Sequence, residues 1–252
     1  MKTLPLTVAI VTLNEADRVE AAIRSVPSAS EVLVIDSGST DGTVGLARAL
    51  GARVVETDWP GHVAQKERAR TLASQPWILF LDADEWTSPT LAKEVEEAVL
   101  RDGPERGFLI RRRNRWLGRP IRGGAFGPRW HLRLVRGRQS RWGGEDPHDV
   151  LSVDGPTGRL DGLLEHEPYR DLADHLGTID RYSTRFVQMS MKRGRRARVL
   201  DILVRPPWHF LRAYVFQAGA RDGVAGLQIA WIGARYVGLK WGRLWLHQRR
   251  RS

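Results

Sequence analysis

Residues 32–56 read VLVIDSGSTDGTVGLARALGARVVE. Val32–Ile35 is a short apolar run of strand type, and Asp36–Gly42 is a polar, glycine-containing turn. Thr43–Leu50 follows with helical spacing and is stopped by Gly51. Arg53–Glu56 then reads as a second strand. One strand–helix–strand unit is thus written into a single stretch. The same alternation continues outward. Leu6–Thr12 is a β-branched apolar strand, and Glu15–Ser25 has helical spacing at Val19, Ala22 and Ile23. Val63–Ser74 is a further helix, and Trp77–Leu81 a further strand. Strands alternating with helices of this length imply a parallel sheet covered on both faces. Leu4–Leu13 reads as a buried strand rather than a signal core. It lacks a small-residue cleavage site and runs straight into Asn14-Glu15-Ala16-Asp17-Arg18.

From Gly107 the pattern changes. Phe108–Arg112 and His131–Val135 read as strands on either side of a Gly- and Arg-rich loop, Asn114–Pro128. Gly137–Asp149 is turn-rich, and Leu160–Glu165 is one more strand. After Pro168 the spacing is helical over Asp171–Arg193, Ala197–Arg205 and Trp208–Leu246, with a break expected at Pro206-Pro207. Arg249–Ser252 reads as a frayed basic tail.

The chain has 252 residues, 40 basic against 29 acidic, a formal charge of +11 and no cysteine. That length suits one large domain, or one domain with a helical appendage. A hydrophobic content of 42% excludes wholesale disorder. Without cysteine there is no disulfide, no thiolate metal site and no cysteine nucleophile. The positive charge favours anionic partners such as nucleotides, phosphates, acidic lipid or RNA. The charge-free stretch Gly223–Ala234 is too short to span a bilayer.

Chemistry concentrates where strands end. After Trp77–Leu81 come Asp82-Ala83-Asp84-Glu85, three carboxylates in four positions. At strand spacing Asp82 and Asp84 point to one side. Paired carboxylates of this kind suit a hard divalent ion. The plainer reading is a solvated strand end with Asp84 or Glu85 capping the next helix. Thr12-Leu13-Asn14-Glu15 ends the first strand and Asp36–Thr43 follows the second. Asp36 is placed to accept hydrogen bonds from a base or ribose, Gly38 to allow close backbone approach, and Asp41 to cap a helix. Three such clusters converge on the crevice beyond the carboxyl ends of the strands, where open α/β sheets bind ligands.

These three motifs resemble the signatures of family 2 glycosyltransferases with the GT-A fold. Within that family the chain looks most like the bacterial lipopolysaccharide-core β-1,4-glucosyltransferase group. Ala64-Gln65-Lys66, Arg133-Leu134-Val135-Arg136 followed by Pro147-His148-Asp149, and a tail over Phe210–Trp245 with Arg221-Asp222-Gly223 and Gly226-Leu227 carry that narrower likeness. The resemblance implies an α/β fold: a GT-A type mixed, mainly parallel sheet with helices on both faces, plus a C-terminal helical extension. It implies a catalytic domain over 1–168, with a nucleotide-sugar half to about residue 100, and a basic, aromatic helical region over 169–252.

The roles it implies are these. Thr12, Asn14, Glu15 and Asp36 line the nucleotide pocket, and Lys66 approaches the nucleotide. Asp82 and Ala83 face the nucleotide sugar. Asp84 holds a divalent metal, Mg²⁺ or Mn²⁺, and His166 stands where such enzymes often place a second, late metal ligand, the plainer reading being a surface histidine between Glu165 and Glu167. Asp149 is the candidate base of an inverting transfer, with Asp146 and Glu145 as rivals and His148 orienting the loop or acceptor. Apart from the resemblance, Arg111–Arg113, Arg122 and Arg129 are candidates for contacts to acceptor or donor phosphates, the plainer reading of each being a solvated basic loop. The implied donor is a UDP-sugar, and the implied acceptor a glycan or glycolipid of the bacterial envelope. Two positions depart from the family pattern: Glu67 stands where Asn is common, and Asp149 where Glu usually follows the histidine.

The C-terminal third carries Arg193, Arg195, Arg196 and Arg198 ahead of Val199–Val204, then Trp208, Phe210, Tyr214, Val215 and Phe216, with Trp231, Tyr236, Trp241 and Trp245 beyond. As a segment this suits peripheral contact with an anionic membrane, here the inner face of the cytoplasmic membrane. The main alternative is a basic nucleic-acid-binding protein without transferase activity. The acidic crevice argues against it, and no nucleic acid is expected as partner. A nucleotidyltransferase would carry a Gly- and Arg-rich loop where Asn14-Glu15-Ala16-Asp17 stands. A binding module without turnover is the remaining alternative, suggested only by the shortened acid at Asp149.

Overall fold

The computed structural model describes residues 3–146 and 148–249, and the side chain of His148 lies outside the described residues. So do Pro147 and Arg250–Ser252, which take in part of the expected loop motif and most of the expected tail. The strands are β1 (Leu4–Thr12), β2 (Ala29–Asp36), β3 (Arg53–Glu56), β4 (Trp77–Asp82), β5 (Glu85–Thr87), β6 (Gly107–Trp116), β7 (Arg119–Pro120), β8 (Arg129–Arg136), β9 (Ser140–Glu145), β10 (His148–Val153) and β11 (Thr157–His166). The α-helices are α1 (Val19–Ile23), α2 (Thr43–Ala49), α3 (His62–Leu72), α4 (Pro89–Arg101), α5 (Leu172–Lys192), α6 (Val199–Leu211) and α7 (Gly223–Arg249).

The main sheet runs β3-β2-β1-β4-β8-β6-β11-β5, with β7 paired to β6. It is a mixed sheet. β3, β2, β1 and β4 are parallel, and antiparallel pairing begins where β8 joins β4. The apolar runs of β1 and β4 are continuous because both faces are covered. Leu4, Leu6, Val8 and Ile10 of β1, with Trp77, Leu79 and Leu81 of β4, pack in one core with Val19, Ala22, Ala47, Leu91 and Val95 of the helices. Ala9, Ile78 and Phe80 point the other way, against Ala69 of α3 and Trp142 of β9.

Three local expectations are corrected. The turn-rich stretch 137–149 holds the β9–β10 hairpin, whose strands pair from Ser140↔Val153 to Glu145↔His148. Its glycines mask the strand pattern, and the edge-on contact of Trp142 with Phe80, centroids 5.2 Å apart, anchors it. The helix after β5 is capped by neither Asp84 nor Glu85. Ser88 Oγ accepts from Leu91 N–H at 3.2 Å, and Pro89 occupies the first turn. Pro206 and Pro207 do not break the C-terminal helix: both lie inside α6. The break comes later, at a π-helical turn over Arg212–Phe216 and a short 3₁₀ turn, before α7 begins.

The chain divides into two compact units, Met1–Arg112 with Arg129–His166, and Arg113–Pro128 with Glu167–Ser252. The segment 113–128 therefore groups with the C-terminal unit rather than with the expected acceptor half. Trp116 and Ile121 pack there with Ile179, Ala225, Ile229 and Ile232, which gives that unit its own core.

Candidate active site

β1, β2 and β4 end almost level. Thr12 is paired with Asp36 and Val11 with Asp82, so three polar clusters emerge side by side from the first unit. The loops after β1 and β2 are tied together. Asp36 is fully buried; its Oδ1 accepts from the N–H groups of Gly38 and Ser39 at 2.9 and 2.8 Å, and its Oδ2 from Ser39 Oγ at 2.5 Å. Asn14, in the left-handed region at φ 57°, donates its N–H to Ser39 Oγ at 2.8 Å and accepts from Thr40 N–H at 2.9 Å. Glu15 N–H donates to Thr43 Oγ1 at 2.9 Å, while its carboxylate pairs with Arg18. Asp41 accepts from Thr43 and Ala16 N–H groups, both at 3.1 Å. Asp36, Asn14 and Glu15 thus make the frame of the crevice. Thr12 Oγ1 is buried there without a hydrogen-bond partner among the described residues.

The centre is an ion-pair network. α3 presents Lys66, whose Nζ lies 3.0 Å from Asp82 Oδ1 and 3.0 Å from Asp149 Oδ2. The ammonium also lies 4.9 Å from the centroid of Trp142. Asp82 Oδ2 takes Arg133 from β8 at 3.1 Å. Arg133 also reaches Glu85 Oε1 at 2.7 Å, as Arg112 does at 3.1 Å. Glu85 Oε2 accepts the N–H of Asp82 at 3.0 Å. Burial opposes the charge on Asp82, but Lys66 and Arg133 outweigh it and hold its carboxyl well below the ordinary range. Burial likewise works against the charge on Lys66. Asp82, and then Asp149, reverse the sign, so its ammonium is held above the usual value despite the nearby Arg133.

Asp149 sits on β10 opposite Gly144. Its rival Asp146 is engaged elsewhere, its Oδ1 accepting from Val63 N–H at 3.1 Å at the start of α3. Gly61 has φ 115°, a conformation that residues with side chains rarely adopt, and a β-carbon there would push the Asp146 carboxylate aside. Glu67, the departure from the family pattern, accepts from Trp142 N–H at 3.0 Å and from Arg70 Nε at 2.8 Å, tying α3 to the hairpin that carries Asp149.

Asp84 is separated from Asp82. β4 ends at Asp82 and residues 83–84 form a turn, so strand alternation does not carry across the pair. Asp84 Oδ2 lies 3.3 Å from His166 Nε2. The pairing of β11 with β5, His166 opposite Glu85, brings the two together. Ala83 packs its methyl into the core, which leaves only its backbone to face a ligand. Among the described residues, no group of three or more His, Asp or Glu converges as a ready-made metal site. The carboxylate–imidazole pair supplies two donors of the kind a divalent ion accepts.

The arginine candidates are divided between the two units. Arg112 is bound to Glu85, and Arg111 and Arg129 are exposed on β6 and β8. Arg113 and Arg122 belong to the second unit, where Arg122 N–H donates to Asp222 at 2.9 Å. His131, between Arg129 and Arg133 on β8, is pushed down to about 3 by burial and by Arg112, Arg133 and Arg129. Arg133 and Glu85 are central to the network and were not expected to be. The signal was available: Arg133 stands between Leu132 and Leu134 in the apolar centre of its strand.

Residues 7–139 match the family described as glycosyl transferase family 2. With that match, on a mixed α/β sheet with acidic strand ends, the chain belongs to the family 2 glycosyltransferases. It is 29% identical over 242 residues to the lipopolysaccharide core biosynthesis glycosyltransferase LpsC of Rhizobium meliloti, covering 93% of this chain and 89% of that one. A glycosyltransferase of Rickettsia bellii, itself uncharacterized, is 50% identical over 95 residues, 37% of this chain and 32% of its own length. Among solved structures, glucosyl-3-phosphoglycerate synthase from Mycobacterium tuberculosis is similar over 70% of this chain and 75% of that one, at 20% identity and a TM-score of 0.46.

Proposed function

We propose that this enzyme transfers a sugar, with inversion, from a UDP-sugar to a hydroxyl of a glycan or glycolipid of the bacterial envelope. The observation that carries this reading is the bridge from Asp82 through Lys66 to Asp149 at the end of the parallel strands. It puts a carboxylate from the β9–β10 hairpin beside the carboxylates that follow β4. The family adds the reaction class, and the likeness to LpsC over most of both chains favours a lipopolysaccharide-core acceptor.

In this reading the ordered loops over Thr12–Glu15 and Asp36–Thr43 receive the nucleotide, with buried Thr12 Oγ1 left to pair with it. Asp84 and His166 would hold Mg²⁺ or Mn²⁺, which would offset the negative charge that builds on the leaving diphosphate. Asp149 takes the proton from the acceptor hydroxyl as that oxygen attacks the anomeric carbon. The bond from that carbon to the diphosphate oxygen breaks on the opposite face, and UDP leaves. Lys66 holds Asp149 in an ion pair. A donor diphosphate offers Lys66 a competing partner, so donor binding releases Asp149 for proton transfer. A glycolipid acceptor would put the enzyme in peripheral contact with the anionic inner face of the cytoplasmic membrane.

The test is release of nucleoside diphosphate from a panel of nucleotide sugars, with and without Mn²⁺ or Mg²⁺, using wild type and Asp84→Ala. Metal-dependent release from one donor, lost in the variant, supports the reading and names the sugar. Failure to bind UDP in the presence of metal overturns it. Steep salt-dependent RNA binding in its place would favour a nucleic-acid-binding protein.

A further inference from the structure

α6 is an apolar helix with no buried residue. One side leans on α7: a β-carbon at Gly233 would stand 2.6 Å from His209 Nε2, and one at Gly238 would stand 3.5 Å from Pro206 Cγ. The small residues of α7 therefore let α6 lie close, and Ile202 joins the cluster around Val237, Trp241 and Leu244. The rest of α6 is left open. Leu200, Leu203, Val204, Trp208 and Leu211, with Phe216 in the following turn, are each between 42% and 67% exposed. Leu200, Val204, Trp208 and Leu211 follow the three- and four-residue spacing of one helical stripe. The rings of Trp208 and Phe216 are 5.9 Å apart, which carries the stripe past the end of the helix. Of the aromatics on α7, Trp241 is buried, and Tyr236 and Trp245 pack against the same cluster.

The surroundings of this stripe are basic. Residues 193–221 hold seven arginines (193, 195, 196, 198, 205, 212 and 221) against one acid, Asp201, a net of +6. That acid is already engaged, by Arg205 Nε at 2.6 Å and by Arg198 N–H at 2.8 Å. A second copy of the chain would set this charge against its like. A protein partner would need both a matching apolar groove and an acidic rim. A bilayer containing anionic lipid offers an apolar layer under a negative surface with no shape to match. The 13 residues of α6 make a rod of about 20 Å at the α-helical rise, shorter than the roughly 30 Å hydrocarbon core, which suits a helix lying in the headgroup plane.

We infer that the outer face of α6, from Leu200 to Phe216, is the surface that inserts into the headgroup layer of anionic membranes. α7 acts as its support, and the arginines of 193–198 engage lipid phosphates. This assigns a face to the membrane contact proposed above, and its failure would leave the transfer reading untouched.

The experiment is co-sedimentation of the full chain with vesicles of phosphatidylcholine alone or mixed with phosphatidylglycerol. Wild type is expected to bind the mixed vesicles, to bind neutral ones far less, and to be released by salt. Leu203→Ser with Trp208→Ser alters only exposed positions and is expected to weaken binding roughly tenfold or more. Arg195→Glu with Arg196→Glu, outside the helix, is expected to do the same through charge. Leu100→Ser, an exposed apolar position on α4, is the control and should change nothing. UDP binding should be equal in all four proteins, which separates this surface from the donor site. Equal vesicle binding by wild type and both double variants overturns the inference, as does absence of binding to anionic vesicles. Self-association of wild type that the Leu203/Trp208 variant abolishes, without vesicle binding, would assign the face to a second copy instead.

Discussion

Lys66 Nζ lies 3.0 Å from Asp149 Oδ2, although the two residues are 83 apart in sequence. The same ammonium is 3.0 Å from Asp82 Oδ1. One buried cation therefore serves two carboxylates from different parts of the fold. Lys66→Met keeps the apolar stem and removes the charge. It leaves Asp149 without its close ion-pair partner, with only the more distant charge of Arg133 nearby, and leaves Asp82 its ion pair with Arg133. The expected result is a loss of about 3 kcal/mol in unfolding free energy, as when one member of a buried pair is removed. On the roles proposed for Lys66 and Asp149, donor KM should rise together with a fall in kcat. Denaturant unfolding and initial-rate kinetics on the same preparations check both.

The network also fixes the sign of an acid response. The carboxyl of Asp82 is held well below its ordinary value in the folded chain. An unfolded aspartate titrates near about 3.9. Such a group binds fewer protons folded than unfolded, so its stabilisation is full above the unfolded value. It is lost as pH falls through the folded one. Wild type should therefore lose stability below about pH 4 more steeply than Asp82→Asn. At pH 7 the variant should be the less stable of the two, because Lys66 and Arg133 keep their charges with one carboxylate gone. Urea midpoints across this pH range decide it; parallel curves would remove Asp82 as the source.

The parallel half of the sheet was legible because β1 and β4 are apolar on both faces, and because turns such as Asp36–Gly42 are chemically distinct. The acidic ends were legible for the same reason: Asp82, Asp84 and Asp36 follow runs that contain nothing else polar. The partners were harder to read. Arg133 meets Asp82 because β8 runs antiparallel beside β4, a pairing that local spacing does not encode. Gly143 and Gly144 hid the hairpin that delivers Asp149. The run Pro206-Pro207 suggested a break, yet α6 continues through it, lodged against Gly233 and Gly238 of α7.

Asp146 and Asp149 are three residues apart, and the structure gives them different partners. Asp149 faces Lys66, whereas Asp146 accepts from Val63 N–H at the head of α3. Asp149→Asn should abolish transfer while UDP still binds. Asp146→Asn keeps an acceptor oxygen and should be nearly silent. Asp146→Ala should cost about 1 kcal/mol, the ordinary value of a helix cap, with most activity kept. Comparing kcat and thermal midpoint across the three variants separates the roles. A greater loss of kcat in Asp146→Asn than in Asp149→Asn would exchange them.

The pairing of His166 with Asp84 makes a prediction about metal that does not depend on the donor sugar. Their 3.3 Å separation brings one carboxylate oxygen and one imidazole nitrogen to the same spot. If both hold the ion, removing either should weaken it, and removing both should cost little more than removing the stronger ligand. That is the non-additivity of groups sharing one partner. His166→Ala and Asp84→Ala should each raise the Mn²⁺ concentration needed for half-maximal activity, the carboxylate variant more, since charge dominates binding of a hard ion. Metal titrations read by Mn²⁺ electron paramagnetic resonance in the presence of UDP would give the same order without turnover. A His166→Ala protein that binds Mn²⁺ as wild type does would reduce His166 to a hydrogen-bond partner of Asp84, leaving the carboxylate as the protein's contribution to the ion.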